Sequence, residues 1–62
     1  MNTEMLLKEF REILVHEERA KAFYDHYIDQ LQDEGVKSQL SAIRDDEVTH
    51  IKIARMLIES VL

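Results

Sequence analysis

Apolar residues recur every three or four positions through two stretches of the chain, which is the spacing of one face of an α-helix. The first stripe comprises Leu6, Phe10, Ile13, Ala20, Tyr24, Ile28 (or Tyr27) and Leu31. The second comprises Val36, Leu40, Ile43, Ala54, Leu57 and Val61. The pattern predicts an all-α protein built from two amphipathic helices.

The two stripes are separated only by Gln32-Asp33-Glu34-Gly35. Glycine just past a helix end commonly takes the left-handed conformation that terminates the helix, and Asn2 or Thr3 is suited to cap the first helix. We expect one domain over residues 1–62, with helix 1 at about 3–32, a turn at 33–35 and helix 2 at about 36–61. A break this short predicts an antiparallel hairpin.

Three polar residues interrupt the stripes: Glu17 in the first helix, Glu47 and His50 in the second. Glu47 and His50 are three residues apart and therefore share a helix face. In the antiparallel hairpin, residues whose numbers sum to about 69 should face each other, which places Glu17 within roughly 3–8 Å of the other two along the axis. The three side chains are predicted to meet in one layer.

The chain has 62 residues and no cysteine. A core of this size is marginal in water unless disulfides, a metal or oligomerisation supports it. Disulfides and thiolate metal sites are excluded, so metal binding and self-association remain. The flanking apolar residues would pack against a second hairpin; they are Phe23, Tyr27, Ile53 and Met56. Apolar surface left exposed after dimerisation would favour a larger assembly, such as a ring of dimers.

The net charge is −5 and no basic patch is present, which argues against nucleic acid and anionic membranes as partners. The start, Met1-Asn2-Thr3-Glu4, lacks the features of a signal peptide. No apolar stretch approaches the roughly 20 residues that a bilayer requires. We expect a cytoplasmic protein.

Glu47-Val48-Thr49-His50 is a Glu-x-x-His motif whose carboxylate and imidazole can bind one metal ion. One hairpin supplies too few ligands for two metals, but two hairpins related by a two-fold axis supply the set found in di-iron and di-manganese four-helix bundles. Two divalent ions would neutralise the four carboxylates. We therefore expect at least a homodimer forming a four-helix bundle with two iron ions, with manganese and zinc as alternatives.

The segments 17–24 (Glu-Glu-Arg-Ala-Lys-Ala-Phe-Tyr) and 46–50 (Asp-Glu-Val-Thr-His) resemble the ferritin-like, rubrerythrin-like superfamily. The closest likeness is to the short two-helix encapsulated ferritins. In those proteins a Glu with a Tyr seven residues later is followed, about thirty residues on, by Glu-x-x-His. Glu17, Tyr24, Glu47 and His50 occupy these positions, and the resemblance spans roughly residues 6–61.

The resemblance implies ferroxidase chemistry, in which Fe(II) bound between two subunits is oxidised by oxygen or peroxide. It makes Glu17, Glu47 and His50 the metal ligands, with Glu47 able to bridge two ions, and Tyr24 an adjacent or electron-donating residue. Encapsulated ferritins dock into an encapsulin shell, a protein nanocompartment, through a C-terminal peptide. The sequence ends at Ser60-Val61-Leu62 without one, so either that tail was removed or the protein is free of a shell.

Simpler interpretations of the same residues remain open. Glu17 is also placed to pair with Lys21 on the surface, and Glu18 is the rival ligand. His50 is alternatively a core histidine held by Asp46, although metal-bound histidines often have such a partner too. The other two histidines are expected to be ordinary residues: His26 should face water, and His16 flanks Glu17, with a place at the edge of the site as the alternative.

Two further functions fit the pattern. A non-catalytic dimerising module would use the buried polar layer to fix helix register. A rubrerythrin-like peroxide reductase would use the same two-metal site and, lacking cysteine, an external electron donor.

Overall fold

The computed structural model describes residues 2–62, and these contain two α-helices and no strand. Helix α1 spans Thr3–Gln30 and helix α2 spans Glu34–Val61, each 28 residues long. The all-α prediction is confirmed, while Met1 of the predicted 1–62 domain lies outside the described residues. Neither helix in residues 2–62 has the length and apolar character needed to cross a membrane.

Each helix begins with a side-chain cap. The Asn2 side chain accepts a hydrogen bond from the Met5 N–H at 2.8 Å, and the Asp33 side chain accepts one from the Val36 N–H at 2.9 Å. The first N–H groups of a helix have no partner within it, so each cap satisfies one of them. The two caps therefore fix where both helices start.

The predicted role of Gly35 as a left-handed helix terminator is wrong. Helix α1 ends at Gln30 and α2 begins at Glu34, so Gly35 lies in the first turn of α2, and no described glycine has a positive φ. Leu31 ends α1 in an extended conformation (φ −79°, ψ 150°), its N–H still bonded to the Tyr27 carbonyl. Because Asp33 is a strong N-cap, α2 starts ahead of the glycine.

The helices run antiparallel with close to the predicted pairing. Asp25 of α1 contacts Arg44 of α2 at 2.8 Å, and their numbers sum to the predicted value of about 69. The hairpin is a rod whose Cα atoms extend over 47 × 14 × 14 Å. Two helices packed side by side bury only the surface between them, so the two broad sides of the hairpin stay open to solvent.

The contact between the helices uses only one edge of each apolar stripe. Ile51 and Ala54 are the buried residues of the described chain, at 8% and 1% exposure. Ile51 is missing from the predicted stripe, whereas Ile13, Val36 and Ile43, which belong to it, are exposed. The stripes are wider than the seam, so one apolar edge of each helix is left uncovered.

A charged network lies on the other edge of the seam. Asp25 accepts hydrogen bonds from Lys21 at 2.7 Å and from Arg44 at 2.8 Å, and Arg44 also reaches Asp45 at 2.8 Å. The hydrogen bond from Lys21, and after it that from Arg44, holds the pKa of the Asp25 carboxyl below its ordinary value. The network links the two helices about two turns from Glu17 along α1 and about one turn from Glu47 along α2.

Candidate metal centre

The three polar residues that interrupt the stripes converge in one layer, as predicted. Glu17 comes from α1, and Glu47 and His50 come from α2. Each offers a ligand atom, and these atoms all lie within 4.8 Å of one another. His50 Nδ1 lies 3.3 Å from Glu17 Oε2 and 3.7 Å from Glu47 Oε2. Two carboxylates and one imidazole thus face a common point.

Glu17 and Glu47 lie near the midpoints of α1 and α2. Backbone N–H and C=O groups at mid-helix are bonded within the helix, and fraying is confined to the ends. Glu47 and His50 are one turn apart on the same face of α2, so the helix itself fixes their spacing. The layer is therefore built on the most rigid part of the hairpin.

Glu47 carries the clearest sign of an incomplete environment. Its side chain is 16% exposed, and its Oε2 atom is buried without a hydrogen-bond partner among residues 2–62. The pKa of Glu47 is raised, chiefly by the Glu17 carboxyl, with which it can share a proton, and further by lost hydration and charge repulsion. His50 opposes this shift only in part. A cation placed between the carboxylates would supply the missing partner.

The donor set fits a divalent metal ion. Zinc, for example, binds carboxylate oxygen and imidazole nitrogen at about 2.0–2.2 Å, so ligand atoms on one such ion lie up to about 4.4 Å apart. The 4.8 Å limit of this group is close to that spacing. Oxygen and imidazole ligands without thiolate suit iron and manganese, and zinc also accepts them. Three ligands from one chain leave coordination positions open.

The ligand group opens onto the uncovered apolar edge. A shallow cavity of about 240 Å³ beside it is lined by Glu17 and His50 together with Ile13, Ile53, Ala54 and Leu57. Residues seven apart project within about 20° of each other on a helix. The exposed residues Val36 and Ile43 therefore lie on the same side as His50, and Tyr27 lies on the same side as Ile13.

We call this side of the hairpin the metal face; its exposed apolar residues are Ile13, Tyr27, Val36, Ile43 and Ile53. The sequence pattern assigned Ile13, Val36 and Ile43 to the seam between the two helices of one chain. In the structure these three residues are instead exposed, beside the ligand group and further along the same side of the hairpin.

The remaining candidates lie outside the group. Glu18, the rival ligand, is exposed and lines a groove that Glu17 does not reach. His16 and His26 are exposed, as expected for His26. Asp46 is exposed, and no hydrogen bond joins it to His50 within the described part of the chain.

Tyr24 is half-buried on the stripe and packs edge-on against Phe23, with the ring centroids 6.5 Å apart. The redox role of Tyr24 stays a prediction.

Lys21, Asp25 and Arg44 are the polar seam residues that sequence reasoning missed. Two signals could have identified them: the i,i+4 spacing of Lys21 and Asp25, and the residue numbers of Asp25 and Arg44, which sum to the value expected for facing residues.

Comparisons of the chain with protein-family models, curated proteins and solved structures give no match. The function must therefore be inferred from the residues of the site.

Proposed function

We propose that this chain is a di-iron carboxylate protein that oxidises Fe(II) at a site shared between two copies. The observation that supports the proposal is the convergence of Glu17, Glu47 and His50 around a buried carboxylate oxygen that has no hydrogen-bond partner within residues 2–62. Buried carboxylates are usually paired or coordinate a metal. Loading with cations relieves the repulsion that this arrangement otherwise carries.

Each residue has a definite task in this proposal. Glu17 and Glu47 supply the negative charge that holds Fe(II) and favours the more highly charged ferric product. His50 supplies a neutral nitrogen ligand, and Ile13 and Ile53 border the site with apolar surface. Bound iron supplies the one-electron change from Fe(II) to Fe(III), with oxygen or peroxide as the electron acceptor.

The second copy is proposed for two reasons. One hairpin offers half of the ligand set of a di-iron bundle, which takes a Glu from each of two helices and Glu-x-x-His from each of the other two. The metal face also exposes apolar residues over its length, as expected of a homodimer interface. Two hairpins packed through this face form a four-helix bundle with the ligand layer at its centre.

The resemblance to encapsulated ferritins extends the proposal to a ring of such dimers acting inside a cytoplasmic protein shell. The ligand geometry supports the metal site and does not bear on the ring or the shell. Iron loading can be tested without a shell.

Anaerobic titration with Fe(II), followed by air, tests the proposed activity. We expect uptake of two irons per pair of chains and a near-ultraviolet ferric absorbance that grows on exposure to air. The Glu47→Ala variant should lose both, and Glu12→Ala, on the exposed side of α1, should keep both. Replacing air by peroxide identifies the preferred oxidant. Iron uptake by wild type no greater than by Glu47→Ala would rule the activity out.

The uncovered metal face also suits a non-catalytic dimerising module. In that case, the polar layer would fix helix register and metal would add nothing. Such a dimer would melt at the same temperature with Fe(II), with Mn(II) and with chelator. A large rise in the melting temperature with metal favours the di-iron proposal.

A further inference from the structure

Two basic side chains lie one helical turn from the ligand carboxylates. Lys21 follows Glu17 by four positions on α1. Arg44 precedes Glu47 by three positions on α2. Side chains three or four apart on a helix are neighbours, and opposite charges at this spacing attract. Each ligand carboxylate therefore has a cation on its own helix that is placed to pair with it.

Neither pair is present in the described chain; both cations are bound to Asp25 instead. Lys21 Nζ lies 2.7 Å from Asp25 Oδ2, and Arg44 Nη1 lies 2.8 Å from Asp25 Oδ1. Within residues 2–62, the ligand carboxylates contact no lysine or arginine at ion-pair distance. One aspartate thus holds two cations, with one oxygen for each.

The partner of Lys21 differs from the one that the helix alone favours. A Glu four residues before a Lys pairs with it more favourably than an acid four residues after it, so α1 by itself favours Glu17 over Asp25. Glu17 is turned across the seam towards His50, 3.3 Å away. Lys21 and Asp25 line an open groove of about 620 Å³ to which Glu17 and His50 do not contribute. Contacts between the helices, rather than preferences within α1, therefore decide where Lys21 lies.

Arg44 is likewise held away from the ligand group. Its Nη1 donates to Asp25 and its Nε donates to Asp45, each at 2.8 Å. Glu47 Oε2, on a residue one turn further along α2, is buried without a hydrogen-bond partner among residues 2–62. A buried carboxylate oxygen without a partner is costly, and an arginine one turn away is suited to relieve that cost. The two aspartates bind the guanidinium elsewhere.

We propose that Asp25 is a positioning residue of the metal centre, because it keeps two neighbouring cations away from the ligand carboxylates. Without this aspartate, Lys21 pairs with Glu17. Arg44 likewise gains Glu47 as a partner. A paired ammonium or guanidinium occupies carboxylate oxygens and offsets their charge, so a metal ion has to displace it before binding. This role rests on the proposed metal centre but not on iron oxidation.

The network also leaves the charge of the ligand group uncompensated. It contains two bases, Lys21 and Arg44, and two acids, Asp25 and Asp45. The four side chains are neutral as a unit at pH 7, so they add little repulsion against an incoming cation. A divalent ion therefore meets carboxylates rather than ion pairs.

Binding of Mn(II) alone, measured from the paramagnetic resonance signal of the free ion at fixed protein concentration, tests this role without a redox step. Asp25→Asn keeps the shape of the side chain and releases both cations. We expect it to weaken Mn(II) binding by at least about threefold, because two partly exposed ion pairs then compete with the metal. Removing the released cations as well, with Lys21→Gln and Arg44→Gln, should restore binding to the wild-type level.

This rescue separates the proposed role from a purely structural one. If Asp25 acted only by tying the helices together, Arg44→Gln would weaken Mn(II) binding as much as Asp25→Asn does, and the triple variant would stay weak. We expect instead that Lys21→Gln and Arg44→Gln, each alone, bind Mn(II) within about twofold of wild type, because Asp25 still holds the remaining cation.

Two controls exclude other causes of weaker binding. Asp29→Asn removes the same charge from an exposed position of α1, one turn beyond Asp25, and should bind Mn(II) as wild type does. Helical circular dichroism confirms that each variant is folded.

The metal-free variant gives a second readout. In a crystal structure of Asp25→Asn, Lys21 Nζ should lie at ion-pair distance from the Glu17 carboxylate; a Lys21 side chain that stays away from Glu17 would contradict the role. Unchanged Mn(II) binding in Asp25→Asn, or a triple variant as weak as Asp25→Asn, would overturn the role and leave the metal centre standing. A wild-type chain that binds neither Mn(II) nor Fe(II) would overturn the metal centre and, with it, the role of Asp25.

Discussion

His50 Nδ1 on α2 lies 3.3 Å from Glu17 Oε2 on α1, so the candidate metal centre is itself a contact between the two helices. One side chain of the ligand group comes from a different helix than the other two. The spacing of the group therefore depends on how the hairpin is aligned. Features that fix this alignment, such as the Asp25–Arg44 pair, bear on metal binding as well as on folding.

Glu47→Gln should raise the unfolding temperature of the metal-free protein and remove its dependence on metal. The change keeps the shape of the side chain and eliminates a charge that faces Glu17, on a carboxylate whose Oε2 has no hydrogen-bond partner among the described residues. Thermal unfolding with chelator and with Fe(II), at fixed protein concentration, measures both effects. Glu12→Gln is the control and should respond to metal as wild type does. A metal-free Glu47→Gln protein less stable than wild type contradicts the account.

The stability of the metal-free protein should fall as pH rises above the ordinary pKa of Glu47, near 4.5. A raised pKa in the folded chain means that the folded state binds the proton more tightly than the unfolded state, so this stabilisation is present at low pH and lost through the raised value. Urea unfolding from about pH 4.5 to about pH 7.5 measures the slope.

Glu47→Gln should flatten that slope, and bound metal should reverse it, because metal ligands must be deprotonated. Identical slopes for wild type and Glu47→Gln would show that Glu47 does not carry the pH dependence. Protein concentration must be held constant, since dimerisation also contributes to stability.

Asp25→Asn should lower stability at neutral pH by a small amount. The substitution removes the ion pairs to Lys21 and Arg44, but the Asp25 side chain is 36% exposed and solvent screens both pairs. The lowered pKa means that this stabilisation is present above the ordinary value of 3.8 and lost as pH falls through the lowered value. Acid titration of unfolding should show a smaller loss in Asp25→Asn than in wild type, with Asp29→Asn as control.

Gly35→Ala should stabilise the protein by up to about 1 kcal/mol, because Gly35 is helical and alanine is the better helix former. An added Cβ would lie 3.2 Å from Asp33 Oδ1, the atom that accepts the capping bond from Val36, so the shift needed there offsets part of the gain. Urea unfolding measures the change. A left-handed glycine at this position would instead make the substitution destabilising, so a loss of stability would contradict the helix boundary described above.

The ligand layer was predictable because Glu17, Glu47 and His50 break an otherwise regular apolar pattern. A polar residue on a buried stripe has to meet a partner, and the short turn fixes which residues stand opposite. The antiparallel pairing followed from the same turn. These inferences need only helix geometry and chain length.

The division of the apolar stripe was not predictable. Periodicity shows that Ile13, Ile43 and Ile51 lie on apolar sides of their helices, but not which edge meets the other helix and which stays free. Only the packing buries Ile51 and exposes the other two. Gly35 was misassigned because glycine is compatible with both a helix end and a helix start, and the Asp33 cap decided between them.

If two copies complete one two-metal site, metal content and solution mass must change together, and measuring both on the same sample is the decisive test. Wild-type protein loaded anaerobically with Fe(II) should contain one iron per chain, in species of even chain number, and Ile53→Glu should lose bound iron along with metal-face pairing. A wild-type protein that remains monomeric, or that associates without retaining metal, would contradict the account.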